Sequence, residues 1–148
     1  SKDFLQKYFK KELFFTDVEG KTKDEVLKNL CRKVEQEKGL PETFTASVLK
    51  REELTPTDYG NLVALPHPER AFQERAFVAV AVLKEPIFWF RQKVQVVFLT
   101  AIGREADENL QQFYEATTDL ILRPADVQNL IRHPDYDRLI QLLRRAEE

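Results

Sequence analysis

One cysteine, four glycines, two histidines and no methionine are found among the 148 residues. A single cysteine, Cys31, excludes an internal disulfide framework and any cysteine-based zinc cluster. The histidines, His67 and His133, have no ligand spacing between them, so no metal site is expected. So few glycines leave neither a phosphate-binding loop nor a dinucleotide fingerprint, and no cofactor is implied. The only serines are Ser1 and Ser47, and neither sits in a nucleophile elbow. The longest apolar run, Ala76 to Leu83, is too short to span a bilayer, and no signal peptide is visible. A cytoplasmic chain without membrane insertion is therefore expected. The 23 basic and 25 acidic residues are interspersed and sum to −2. Nothing in that distribution forms the basic stripe that direct nucleic-acid binding requires.

What is present is globular: 43% of the residues are hydrophobic and 32% charged, enough apolar surface for one ordinary domain over 1–148. The chain opens Ser1-Lys2 without methionine, as expected of a domain taken from a longer protein. Phe4, Leu5, Tyr8 and Phe9 recur at helical spacing, and Leu13-Phe14-Phe15 predicts a short strand. Thr22-Lys23-Asp24-Glu25 is a capping-box pattern opening a helix that Gly39 closes. On its apolar face lie Val26, Leu27, Leu30, Cys31 and Val34, which makes Cys31 a core residue. A second helix is expected from Pro41 to about Glu53, stopped by Thr55-Pro56.

Ala76 to Leu83 predicts a strand buried on both faces, ended by Pro86. Ile87-Phe88-Trp89-Phe90 reads as a separate edge strand, and Val94 to Ile102 as a second buried strand closed by Gly103. From Ala106 the period returns to that of a helix through Leu110, Phe113, Tyr114, Leu120 and Ile121. Pro124 opens another helix, His133-Pro134-Asp135 breaks it, and Leu139, Ile140 and Leu143 mark a terminal one. Helices before, between and after clustered strands predict an α+β fold: a three-layer α/β/α domain with a mixed β-sheet flanked by helices.

One stretch has the form of a reactive site. In Thr55-Pro56-Thr57-Asp58-Tyr59-Gly60-Asn61-Leu62-Val63-Ala64-Leu65-Pro66-His67-Pro68, a polar turn runs into a short apolar strand that ends in a histidine between two prolines. Pro66 fixes its own φ and Pro68 biases His67 to an extended backbone. An imidazole so held meets a reacting group in one orientation. With metal, nucleotide and serine chemistry set aside, His67 is the residue placed for chemistry. His133, in a helix break, is structural.

Arg51-Glu52, Thr55, Gly60 and Val63-Ala64-Leu65-Pro66-His67 resemble the signature of the fructose/mannitol-type enzyme IIA domains of the bacterial phosphoenolpyruvate:sugar phosphotransferase system (PTS). The order of elements over essentially the whole chain is similar as well. The resemblance implies that His67 accepts a phosphoryl group from phosphohistidine on the small carrier HPr and can pass it to a IIB protein. It implies that Arg51 stabilises phosphoryl charge, in a fork geometry lysine lacks. The hydroxyls of Thr55 or Thr57 and the Gly60-Asn61 turn are then expected to bind the remaining oxygens.

Two departures refine this expectation. Transport members of the family carry a second histidine, followed by leucine, where this chain has Asn109-Leu110. An amide there donates a hydrogen bond but gains no proton. Pro68 stands where those members often have glycine. In both respects the chain is more similar to the IIA-like domains at the C-termini of BglG-type transcriptional regulators, which also carry PTS regulation domains. The resemblance thus implies a phosphohistidine-accepting regulatory domain whose partners are phospho-HPr or a IIB protein and the other domains of its parent regulator. A phosphocarrier serving a sugar transporter is the alternative, and a module that only mediates contacts is a third reading.

Overall fold

The computed structural model describes residues 4–147. Helix α1 (Phe4–Tyr8) leads directly into strand β1 (Phe9–Phe15), followed by α2 (Lys23–Lys38) and α3 (Thr43–Leu54). Two short strands, β2 (Asp58–Gly60) and β3 (Val63–Ala64), precede the long strands β4 (Phe77–Phe88) and β5 (Lys93–Ala101). The chain ends in α4 (Leu110–Ile121), α5 (Pro124–Arg132) and α6 (Tyr136–Glu147). No helix among the described residues is long and apolar enough to cross a membrane.

Capping chemistry sets α2 as the sequence predicts. The Glu25 backbone amide donates to Thr22 Oγ1 at 3.2 Å, and the Glu25 carboxylate reaches back to the Lys21 amide at 2.8 Å, one residue beyond the cap. Gly39 ends the helix at φ 66°, a left-handed conformation that a β-carbon disfavours.

The five strands form one mixed sheet in the order β1-β4-β5-β3-β2. β1 runs parallel to β4, β4 antiparallel to β5, β5 parallel to β3, and β3 antiparallel to β2. The alternation of side chains along β4 feeds two cores. Val78, Val80 and Val82 pack with α1, α4, α5 and α6, while Phe77, Ala79, Ala81 and Leu83 pack with α2 and α3. Sheet and flanking helices make the expected three layers.

Five local expectations are corrected. Pro86 does not end β4: the strand continues to Phe88 through a register shift between Val82 and Ile87. Proline is tolerated there because the ladder is already interrupted, and Gln95 Nε2 satisfies the stranded carbonyls of Leu83 and Lys84 at 2.9 and 3.2 Å. Ile87-Phe88 is thus the tip of the β4–β5 hairpin, paired with Val94 and Lys93, and not a separate edge strand. Phe9 belongs to β1, and α3 starts at Thr43 after a turn at Pro41-Glu42. The helix expected from Ala106 begins only at Leu110.

Gly103 marks a close approach between the end of β5 and the loop before β4. A β-carbon there would lie 2.2 Å from the Glu74 carbonyl oxygen and 2.6 Å from the Arg75 carbonyl carbon. Both obstacles are backbone, so Gly103→Ala is expected to destabilise the domain by about 1–3 kcal/mol in urea unfolding. Cys31 is fully buried, and burial, reinforced by the Glu35 charge, pushes its thiol up to about 12. A thiol pKa raised on folding contributes stability that is complete below the unfolded value near 9 and is lost as pH rises toward 12. Native protein at pH 8 is therefore expected to resist thiol reagents, to titrate one thiol after denaturation, and to lose stability progressively above about pH 9.

Candidate functional site

β3 stops at Ala64, and the next four residues carry the histidine across the end of the sheet. The path is pinned on both sides of His67. Upstream, the Leu65 amide donates to the Thr57 carbonyl at 3.1 Å and the Thr100 amide donates to the Pro66 carbonyl at 3.0 Å. Downstream, the Glu69 amide donates to the buried Ser47 hydroxyl at 2.7 Å. Both prolines are buried, and neither leaves an amide to satisfy.

His67 itself is half-buried, with Nδ1 3.2 Å from the Leu65 carbonyl oxygen. A carbonyl only accepts, so this contact places the ring proton on Nδ1 and leaves the Nε2 lone pair free. The neutral ring is thereby held in the tautomer whose Nε2 is a nucleophile.

A cleft of about 260 Å³ opens beside the ring. Its wall is largely apolar, from Leu65, Ile102, Phe113 and Tyr114, and is completed by Thr100, Thr117 and Thr118. The Thr117 hydroxyl is committed to the Phe113 carbonyl at 3.0 Å. Burial raises the Tyr114 phenol above its ordinary value, so it remains a protonated donor at neutral pH. Ile102 is 48% exposed, extending the apolar wall to the surface. A larger, open groove of about 1160 Å³ lies between the start of α2 and the β4–β5 hairpin; its lining mixes Lys21, Lys28, Arg32, Glu19 and Glu85 and includes neither histidine.

The other residues singled out in the sequence do not converge on this cleft. Arg51, in the last turn of α3, donates from Nη1 to the Thr55 carbonyl at 2.9 Å and is not part of the cleft wall. Thr55 is the exposed C-cap of the same helix. Thr57 cannot serve as a free phosphate donor: its amide and its hydroxyl donate to Glu52 at 2.6 and 2.8 Å. Gly60, at φ 123°, opens the β2–β3 turn, which continues through Asn61 and Leu62 at φ 54° and 68°. That turn sits at the opposite end of β3 from His67, and the Asn61 side chain ties it to the Ile121 carbonyl at 2.7 Å. The Gly60-Asn61 turn, expected to offer its backbone amides to phosphate oxygens, is thus not among the residues lining the cleft beside His67.

Asn109 is nearer the site. It is the N-cap of α4, and its carbonyl accepts from Phe113, the cleft residue one turn on. Its side chain makes no capping bond. Asp107 anchors this helix start, accepting the Asn109 amide at 3.0 Å on one oxygen and the Tyr8 phenol at 2.5 Å on the other.

Two features were missed in sequence. Thr100 and Thr118 line the cleft, yet neither has a motif around it: Thr100 comes near the end of an apolar strand, and Thr118 is one of several exposed polar residues of α4. Glu52 is the second. It is 1% exposed, and it accepts from Thr57 twice and from Trp89 Nε1 at 2.9 Å. Its signal was available: Phe44, Val48 and Glu52 fall four residues apart, which puts the acid on the buried face of α3.

Residues 7–146 match the family model described as phosphoenolpyruvate-dependent sugar phosphotransferase system, EIIA 2. The chain belongs to this family. Among curated relatives, this EIIA 2 domain is 36% identical over 138 residues to the "Probable licABCH operon regulator" of Bacillus subtilis (strain 168), covering 93% of the chain and 22% of the relative. It is 27% identical over 120 residues to the transcriptional regulator ManR of the same organism, covering 81% of the chain and 18% of the relative. The domain thus spans about a fifth of the length of these relatives. In fold it is similar to the nitrogen regulatory protein IIA-Ntr of Neisseria meningitidis, at a TM-score of 0.78 and 18% identity over 95% of this chain and 99% of that one. It is also similar to a structure of a complex of enzyme IIAMTL and phosphorylated enzyme IIBMTL from Escherichia coli, at a TM-score of 0.74 and 18% identity, covering 91% and 97%. The resemblance seen in the sequence and the three-layer fold expected from it are both borne out.

The geometry at His67 makes a spectroscopic prediction. Long-range ¹⁵N–¹H correlation at a pH where the ring is neutral is expected to show Nδ1 protonated and Nε2 bare. A ring protonated mainly on Nε2 contradicts the Leu65 contact.

Proposed function

We propose that this EIIA 2 domain is a phosphohistidine-accepting regulatory module of a PTS-controlled transcriptional regulator, cytoplasmic, in which His67 takes a phosphoryl group to report sugar availability. The observation that carries the reading is the His67 ring itself, with Nδ1–H donated to the Leu65 carbonyl and Nε2 free. Its similarity to two regulators supports the regulatory half.

The chemistry follows from that ring. The Nε2 lone pair forms a bond to phosphorus while the bond from phosphorus to the donor's histidine nitrogen breaks, and that electron pair returns to the donor ring. The transition state is loose and highly charged, so positioning does most of the work. His67 gains positive character as the bond forms, and the Leu65 carbonyl, already accepting Nδ1–H, stabilises it. The apolar wall of Ile102, Phe113 and Tyr114 suits a docking carrier and excludes water from the transferring group. Phospho-HPr or a phosphorylated IIB protein is the proposed donor. Once made, the phosphohistidine adds about −1.5 to −2 charge. A change of that size at a surface cleft resets contacts with the other domains of the parent regulator.

Incubation with phosphoenolpyruvate, enzyme I and HPr is expected to place one acid-labile phosphoryl group on the chain, and His67→Ala to abolish it. No label, or label that survives the substitution, refutes the reading. In the same assay Arg51→Ala decides the part of the guanidinium: labelling slowed by about 100-fold assigns it to charge stabilisation, and an unchanged rate removes it. Rapid catalytic loss of label to an added IIB protein would favour a transport phosphocarrier over a regulatory acceptor.

A further inference from the structure

The sequence motif around Arg51-Glu52 leaves the acid without a role, and the structure places it at a junction. Glu52 sits in the last turn of α3, 1% exposed, among the β2 approach and the tip of the β4–β5 hairpin. Its Oε2 accepts the Thr57 amide at 2.6 Å and the Trp89 indole N–H at 2.9 Å, and its Oε1 accepts the Thr57 hydroxyl at 2.8 Å. A buried carboxylate meeting three donors is a strong and directional anchor, because each bond is charge-assisted and none competes with water.

The anchored residue leads directly to the histidine. The Thr57 carbonyl accepts the Leu65 amide at 3.1 Å, and the carbonyl of the same Leu65 accepts His67 Nδ1–H at 3.2 Å. Thr57 has no regular strand to hold it, since β2 begins only at Asp58 and β3 has already ended at Ala64. Leu65, which presents the carbonyl, is therefore held at its own amide by Thr57, beside the bond from the Thr100 amide to the Pro66 carbonyl, and Thr57 is held by both oxygens of Glu52.

We propose that Glu52 is a positioning residue for His67, acting through Thr57 and Leu65 to keep the ring in the Nδ1–H tautomer with Nε2 free. The proposal rests on His67 being the phosphoryl acceptor for its functional consequence, but the ring geometry it asserts stands independently. Removing one acceptor oxygen leaves a Thr57 donor unmet and lets the 55–57 segment relax. The Leu65 carbonyl then moves, the Nδ1 bond lengthens, and the two tautomers approach each other in population.

The test uses Glu52→Gln and Thr57→Val, with Thr57→Ser as the conservative rescue and Val48→Ala as a control that truncates the same face of α3 one turn earlier. Each variant is examined at a temperature where circular dichroism shows it folded. Two quantities are read: the His67 tautomer ratio from ¹⁵N shifts, and the rate of labelling by phospho-HPr. Glu52→Gln and Thr57→Val are expected to raise the Nε2–H tautomer and to slow labelling by about tenfold, while Thr57→Ser and Val48→Ala stay near the parent chain. Should Glu52→Gln not fold, Thr57→Val decides alone. Parent-like tautomer ratios in Thr57→Val, or a shift of equal size in Val48→Ala, overturn the proposal. If the parent chain takes no label at all, the functional reading fails, and the tautomer ratio still decides whether Glu52 positions the ring.

Discussion

β4 and β5 run antiparallel from Phe77 opposite Ala101 to Phe88 opposite Lys93, and the rest of the molecule is hung on that ladder. It is the longest pairing in the sheet among the described residues, and both hydrophobic cores close on its two faces. β1 adds to one side and β3 to the other, each in parallel and each short. The ladder is also bent to a purpose. The amides of Gln95 and Val96 both donate to the Leu62 carbonyl, at 2.8 and 3.0 Å, which is the signature of a bulge. That bulge lets Val94 and Val97 pack on one face and Val96 and Phe98 on the other. It also secures Leu62, whose left-handed φ of 68° is unfavourable for a leucine. The hairpin that delivers His67 is thus attached at its turn by the ladder's own irregularity.

The far end of the same ladder holds the histidine. Thr100, opposite Val78 near the end of β5, gives its amide to Pro66, so the chain around His67 extends the sheet without being counted as a strand. Rigid placement at the end of the sheet and a free Nε2 are what an in-line phosphoryl acceptor needs, because little covalent assistance is available from the protein. Neighbouring α4 contributes the apolar wall, and its start is fixed by Asp107 between Tyr8 and Asn109. Tyr8 in turn stacks on Phe113 with ring centroids 4.7 Å apart. The apolar residues Leu65, Phe113 and Tyr114 that line the cleft all belong to the core on the α1, α4, α5 and α6 side of the sheet.

Much of this was legible in the chain, for identifiable reasons. The alternating valines and alanines of 76–83 are too apolar for anything but a strand buried on both faces. Thr22, Glu25 and Gly39 state the limits of α2 in local capping chemistry. His67 stands out because two prolines leave its backbone little freedom. The failures share one cause. Pro86 reads as a stop because a proline lacks a donor, yet the cost vanishes where a register shift has already broken the ladder and Gln95, nine residues on, supplies the missing bonds. The Thr57 hydroxyl reads as a free polar group of a loop, but it donates to Glu52, and the Asn61 side chain of the next turn donates to the Ile121 carbonyl.

The sequence by itself determined most of the elements, the family and the histidine whose backbone is most constrained, since periodicity, caps and the Pro-His-Pro step are local properties of the backbone. Tertiary structure alone decided which polar groups are spoken for. A hydrogen-bond donor has no preference written in its neighbours for a partner 5, 37 or 60 residues away, as Thr57, Trp89 and Asn61 find theirs. The tautomer of His67 is decided in the same way, because the carbonyl that sets it is oriented by a chain of contacts running back to a buried acid on another helix.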